Sequence, residues 1–264
     1  MNTALSIDFD YWIPEDPAMD FGHREAPFYI NHLWVSRLAD FAALDKDLQE
    51  LLHIDRTLAP QPQELYDFLK KRRIRFLKTR TAVAESHASV IDFLQDLPDL
   101  NLIHVDAHHD LGYHGPEHLN PANCDNWVRY LHNLRRLLLI YPEWRKQERY
   151  DLEDAIHGVE ALRKQGVEVE VAYGLDAMPK NITLKRLFFC RSGAWTPPWT
   201  DGFFMEMVLP FLFGPKKVLL YTFTDLDGVR RKINQKAVDE LTQCMREVRE
   251  ASLKMIGQKT NATS

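Results

Sequence analysis

The sequence predicts an α/β domain of three layers, with helices on both faces of a mainly parallel sheet. Three observations lead there. Apolar, β-rich runs alternate with stretches of helical periodicity from end to end. The runs are apolar throughout rather than at every second residue, as befits strands covered on both faces. At 264 residues and 45% hydrophobic content, the chain can bury one large core, so a single domain over residues 1–257 is expected. The polar stretch 258–264 is expected to be a disordered tail.

In chain order, the strands are expected at Thr3 to Phe9, Arg75 to Ala84, Asn101 to Val105, Arg136 to Tyr141, Val167 to Tyr173, Lys185 to Cys190 and Lys217 to Phe223. Helices are expected at about Leu33 to Leu52, Pro62 to Arg72, His87 to Leu97, Asn126 to Leu134, Leu152 to Lys164 and Asp201 to Phe213. A last helix, about Arg231 to Ile256, sets Val238, Leu241, Met245 and Val248 three and four residues apart, which makes one apolar face.

Composition narrows the function classes. A net charge of −5 gives no whole-chain attraction to nucleic acid or anionic membrane, and it suits a cation site. The basic run Lys70-Lys71-Arg72-Arg73, followed by Arg75, Lys78 and Arg80, carries no aromatic interleaving; it reads as a solvated helix end or a docking patch for an acidic leader peptide. The longest apolar stretches are too short to span a bilayer, and an N-terminus carrying Asp8 and Asp10 lacks a signal-peptide pattern, so a cytoplasmic protein is expected. Cys124, Cys190 and Cys244 are odd in number and widely spaced, which suggests neither a disulfide framework nor a zinc ribbon.

Ligands of parallel sheets bind beyond the carboxyl ends of the strands, so polar residues that follow apolar runs are the ones to read for chemistry. Leu100 to Val105 exits into Asp106-Ala107-His108-His109-Asp110. Asp106, His108 and Asp110 alternate and share one side of an extended strand end. Two carboxylates and an imidazole there repel and are costly to desolvate unless a cation sits between them. Mixed oxygen and nitrogen ligation suits Mn²⁺, Fe²⁺, Co²⁺ or Zn²⁺ better than Mg²⁺ or Ca²⁺. Thr3 to Ile7 likewise exits into Asp8-Phe9-Asp10, beside Tyr11, Trp12 and Pro14, and Thr81 to Ala84 exits into Glu85-Ser86-His87. A competing pair, Asp225 and Asp227, follows the run Lys217 to Phe223.

Together Asp8, Asp10, His87, Asp106, His108 and Asp110 offer enough ligands for two metals. The set resembles the arginase and ureohydrolase signature, with the Asp-x-Asp element first in the chain instead of last. That order resembles the bacterial branch of the UPF0489 family, through Ile7-Asp8-Phe9-Asp10-Tyr11-Trp12, Glu85-Ser86-His87, His104-Val105-Asp106-Ala107-His108-His109-Asp110-Leu111 and Arg191-Ser192-Gly193-Ala194-Trp195-Thr196-Pro197-Pro198-Trp199. The resemblance covers roughly residues 1–215. It is nearest to peptide arginases of ribosomal peptide natural-product pathways, which turn arginine side chains of a precursor peptide into ornithine and urea.

The resemblance implies an arginase/deacetylase-like fold and two divalent cations, Mn²⁺ by preference. Asp8 and Asp106 would bridge them, with His87 and Asp110 completing one position and His108 and Asp10 the other. It implies hydroxide attack on a guanidinium carbon, a proton from His109 or His114 for the departing amine, and a carboxylate (Glu85, Glu25 or Asp201) to receive the guanidinium. Trp195, Trp199, Tyr11 and Trp12 are candidates to wall a slot for the arginine stem. Arginase relatives often assemble, so a homo-oligomer is a further expectation; the last helix serves equally to pack on a second copy or to close its own sheet. The rival readings are a zinc-dependent deacetylase, a small-molecule guanidine hydrolase of the arginase or agmatinase type, and a non-catalytic protein with a structural metal.

Overall fold

In a computed structural model, residues 2–14, 30–76, 78–112, 122–147, 150–212, 218–220 and 232–261 are described. They form a three-layer α/β fold. The strands are β1 (Asn2–Asp8), β2 (Arg80–Ala84), β3 (Leu100–Val105), β4 (Leu134–Tyr141), β5 (Glu168–Tyr173), β6 (Leu184–Cys190) and β7 (Val218–Leu220). They make one sheet in the order β5-β4-β3-β1-β6-β2-β7, with every neighbouring pair parallel.

Side chains alternate across each strand, and both sets are apolar because both faces are covered. Leu5, Ile7, Val83, Ile103, Leu138 and Phe189 face one layer, built from α1 (Ile30–Ala43), α2 (Leu48–Leu51), α3 (Leu65–Lys71) and α6 (Asp201–Leu212). Ala4, Ala82, Leu102, Leu137 and Phe188 face the other, where α4 (Val90–Leu94) and α5 (Tyr150–Lys164) lie. α7 (Gln235–Asn261) packs outside the first layer along α1, where Arg246 donates to the Ala42 carbonyl and to Asp45. No helix among the described residues is long and apolar enough to cross a membrane.

The chain runs from central β1 past β6 to β2, returns to β3 on the other side of β1, and proceeds outward through β4 and β5. Reversal of strand order opens a crevice at the carboxyl ends of β1 and β3, where parallel sheets bind ligands.

Several expected boundaries shift. The helix expected over Leu33 to Leu52 is two helices: Asp45 turns at φ 55, and Asp47 restarts the chain by accepting from the Gln49 N–H at 2.8 Å. The strand expected from Arg75 begins only at Arg80, because Lys78 adopts φ 57 and Arg75 makes a lone bridge to Thr183. Pro62 to Arg72 opens with a 3-10 turn over Pro62–Glu64, and His87 to Leu97 with one over His87–Ser89.

No α-helix forms over Asn126 to Leu134. A single 3-10 turn, Trp127–Tyr130, stands there, since Trp127 and the Val128 N–H are committed to Asp110. The last helix continues through Gly257 to Asn261, into the stretch expected to be a tail. One glycine costs a helix only ~1 kcal/mol, too little to end it.

Leu5, on the central strand and 1% exposed, reports on this core. Leu5→Ala is expected to cost about 2–5 kcal/mol of unfolding free energy in urea denaturation. Val248→Ala, at a side chain 60% exposed, is expected to change it by less than ~0.5 kcal/mol.

Candidate metal centre

The register of the two central strands builds the site. Ile7 lies opposite Val105, so the next residues, Asp8 and Asp106, leave adjacent strands side by side. Each is held by the turn that follows it. Asp8 accepts from the Asp10 N–H at 3.1 Å and caps a 3-10 turn over Phe9–Trp12. Asp106 accepts from the His108 N–H at 2.7 Å through Oδ1. Two strands away, β2 ends at Ala84, and Ser86 caps the turn that carries His87. Asp110 reaches the cluster through a left-handed backbone, φ 53, and its Oδ2 accepts from the Trp127 indole.

All six residues expected as ligands therefore meet. His87 Nδ1 lies 2.9 Å from Asp8 Oδ2, 3.1 Å from Asp106 Oδ2 and 3.3 Å from Asp110 Oδ2. His108 Nδ1 lies 3.0 Å from Asp10 Oδ2 and 3.5 Å from Asp106 Oδ1. Asp8, Asp10, His87, Asp106 and Asp110 are buried, and His108 is mostly so.

One imidazole N–H can serve one acceptor, yet three carboxylate oxygens crowd His87 Nδ1. Neither that nitrogen nor Asp106 Oδ2 has an aligned hydrogen bond among the described residues. Buried polar atoms are almost always satisfied, and a cation between these donors would satisfy them all. The donor set fits that role: the buried groups His87/His104/Asp106, Asp10/Asp106/His108 and Asp8/His87/Cys190 could each hold a metal ion.

His104 is a further candidate ligand, one that sequence reasoning missed. It is fully buried, with Nε2 at 3.3 Å from Asp106 Oδ2 and 3.5 Å from Asp110 Oδ2. The signal was present in its position two residues before Asp106, on the same side of β3, but inside an apolar strand it reads as core. On its other neighbour, Ser6 Oγ lies 2.8 Å from His87 Nε2 and leaves Nδ1 to face the carboxylates.

The electrostatics are those of crowded acids. Burial, reinforced by Asp8 and Asp106 and opposed by His108, holds the Asp10 carboxyl well above its ordinary range. Burial works against a charged His87, but Asp106, Asp8 and Asp110 outweigh it and raise its pKa well above the usual histidine value. For Asp110 burial again pushes upward, and His104, His87 and His108 together prevail, bringing it down to about 2.

The other expected residues fall elsewhere. Glu85 is buried and accepts from the guanidinium of the chain's own Arg191, whose Nη1 also lies 3.7 Å from Asp201. His109 is fully buried, and its Nδ1 accepts from the Leu111 N–H at 2.9 Å. Tyr11 and Trp12 pack in the core, and Trp199 donates to the Leu52 carbonyl. His114, Glu25, Asp225 and Asp227 lie outside the described residues.

A small cavity of about 20 Å³ opens over the cluster, its walls including His108, Cys124, Asp125, Ser192 and Trp195. The Trp195 ring lies 5.6 Å from that of His108. Ser192 turns at φ 53, and its carbonyl accepts from the Trp195 N–H. The chain matches no family model, no curated protein and no solved structure.

Without cations, a folded chain disfavours ionised Asp10. Its contribution to stability is fully present below the ordinary carboxylate range and is lost as pH rises through the raised value. Asp10→Asn is therefore expected to raise the urea midpoint of chelator-treated protein at about pH 8 and to leave it nearly unchanged at about pH 3. A lower midpoint at the higher pH would contradict the assignment.

Proposed function

We propose that this chain is a binuclear metal-dependent hydrolase that converts arginine residues of a precursor peptide to ornithine, releasing urea. The observation that carries the binuclear reading is the orientation of Asp106. Its Oδ2 faces His87 and His104, while its Oδ1 faces His108. A carboxylate that presents each oxygen to a different donor group could bridge two ions if both were bound. Mixed carboxylate and imidazole ligation suits Mn²⁺, Fe²⁺, Co²⁺ or Zn²⁺, and the resemblance to the peptide arginases selects Mn²⁺ among them. A one-zinc deacetylase would use only one of the two donor groups, either that around His87 or that around His108.

Two divalent cations, when bound, supply hydroxide near neutral pH by lowering the pKa of water. The chain's residues do the rest. Asp8, Asp106, Asp110 and Asp10 hold the charge, Ser6 orients the His87 ring through Nε2, and Trp195 narrows the entrance beside His108.

The guanidinium acceptor in this reading is Asp125, the carboxylate on the cavity wall that lies outside the six candidate metal ligands. A guanidinium and one water give an ammonium and urea with atoms and charge balanced. The departing amine thus draws its proton from the attacking water, and neither His109 nor His114 need bring one from outside. The substrate class rests on the resemblance to the peptide arginases.

Three outcomes test the proposal. Elemental analysis of Mn²⁺-loaded protein is expected to find two ions per chain, and Asp106→Asn is expected to weaken both by on the order of tenfold or more. A single tight Zn²⁺ would favour the deacetylase. Arginine-containing peptides are expected to lose the mass of CN₂H₂ per converted residue by mass spectrometry. Turnover of free arginine or agmatine without peptide turnover would overturn the peptide substrate. Asp125→Asn is expected to raise KM on the order of tenfold or more, the loss of one charge-assisted pair, with metal content unchanged.

A further inference from the structure

We infer that His104 is a direct ligand, so that the two ion positions are unequal: one held by two imidazoles, the other by one. The inference rests on the metal-centre reading above and departs from the one-histidine-per-ion arrangement that the family resemblance implies.

His104 sits inside β3, opposite Ser6 on one side and Leu139 on the other. It is 0% exposed, and neither ring nitrogen has a hydrogen-bond partner among the described residues. A histidine kept merely for packing would find a carbonyl or hydroxyl, because an unserved buried polar group costs about 1–3 kcal/mol. This one instead aims Nε2 at Asp106 Oδ2 and Asp110 Oδ2, at 3.3 and 3.5 Å. His87 Nδ1 approaches the same two oxygens, at 3.1 and 3.3 Å.

Those spacings are the edges of a coordination shell. Donors about 2.1 Å from a shared ion, at right angles to one another, lie roughly 3 Å apart. The two rings do not stack but meet edge to face, with centroids 5.0 Å apart at 76°. Trp127 fixes that convergence, lying 5.1 Å from each ring while its indole holds Asp110.

The first position thus gathers His87 Nδ1, His104 Nε2 and one oxygen each from Asp8, Asp106 and Asp110. The second has His108, Asp10 and the other oxygen of Asp106. Softer, more numerous donors make the first position the tighter one and turn its preference toward Fe²⁺, Co²⁺ or Zn²⁺, while the second exchanges more readily.

The test reads ligand atoms and affinity, with no reliance on turnover. Metal-free full-length chain is loaded with one equivalent of Mn²⁺, and the nitrogens coupled to the ion are counted by pulsed electron paramagnetic resonance. Two are expected in the wild type, one in His104→Ala, and two in His108→Ala. By calorimetry, His104→Ala is expected to weaken the first ion by at least about tenfold and to leave the second within about twofold. His104→Gln, closer in volume, serves if the alanine variant does not fold by circular dichroism. One coupled nitrogen in the wild type, or two persisting in both His104 variants, would overturn the inference and leave a metal centre standing. Failure of the wild type to bind Mn²⁺ would overturn the metal reading itself, and this inference with it.

Discussion

Four buried carboxylates converge in one crevice, and most of the surrounding architecture follows from the need to hold them there. Parallel pairing of β1 with β3 puts Asp8 beside Asp106 without any choice by the loops. In water, like charges at this spacing repel weakly; buried, each would be driven to take up a proton or to find a positive partner. The rest of the crevice provides those partners: His87 from β2, His104 from β3 itself, and His108 from the loop between Asp106 and Asp110.

The loops that carry these groups are braced from outside the cluster. Arg145 donates to the Ala107 carbonyl at 2.7 Å, Trp127 and the Val128 N–H hold Asp110, and the Arg191 N–H continues the ladder to the Ala84 carbonyl. Asp110 and Ser192 both occupy left-handed backbone without being glycine, a conformation that persists only where the surroundings over-determine it. Arg191 bears on the same theme. Its guanidinium lies between Glu85 and Asp201 and offsets one of their two negative charges.

Much of the fold was legible because buried parallel strands leave uninterrupted apolar runs, and these named all seven strands to within a few residues, save the late start of β2 and the short described part of β7. The polar exits of β1, β2 and β3 were legible for the same reason, since a carboxylate after an apolar run has no packing explanation. His104 escaped because it sits one pleat inside the strand, where a lone histidine among leucine, isoleucine and valine resembles core. Glu85 and Asp201 looked like candidate acceptors because sequence does not reveal that Arg191 folds back between them. The 3-10 turn at Trp127 was hidden behind a helical pattern that tertiary contacts to Asp110 override.

Charge balance bears on how many ions such a centre needs. Asp8, Asp10, Asp106 and Asp110 carry four negative charges when ionised, and His87, His104 and His108 are neutral when they bind metal. Two divalent cations cancel that charge, whereas one leaves two buried carboxylates uncompensated. Burial at 1–4% exposure makes such a residue costly, by several kcal/mol for an unpaired ion. The protein would then have to protonate Asp10, the member whose carboxyl is already held high by burial and by its acidic neighbours. The 3.0 Å contact of His108 with Asp10 is a hydrogen bond that holds the pair with or without an ion, so it is the charge count, and not this contact, that supports the proposed second ion.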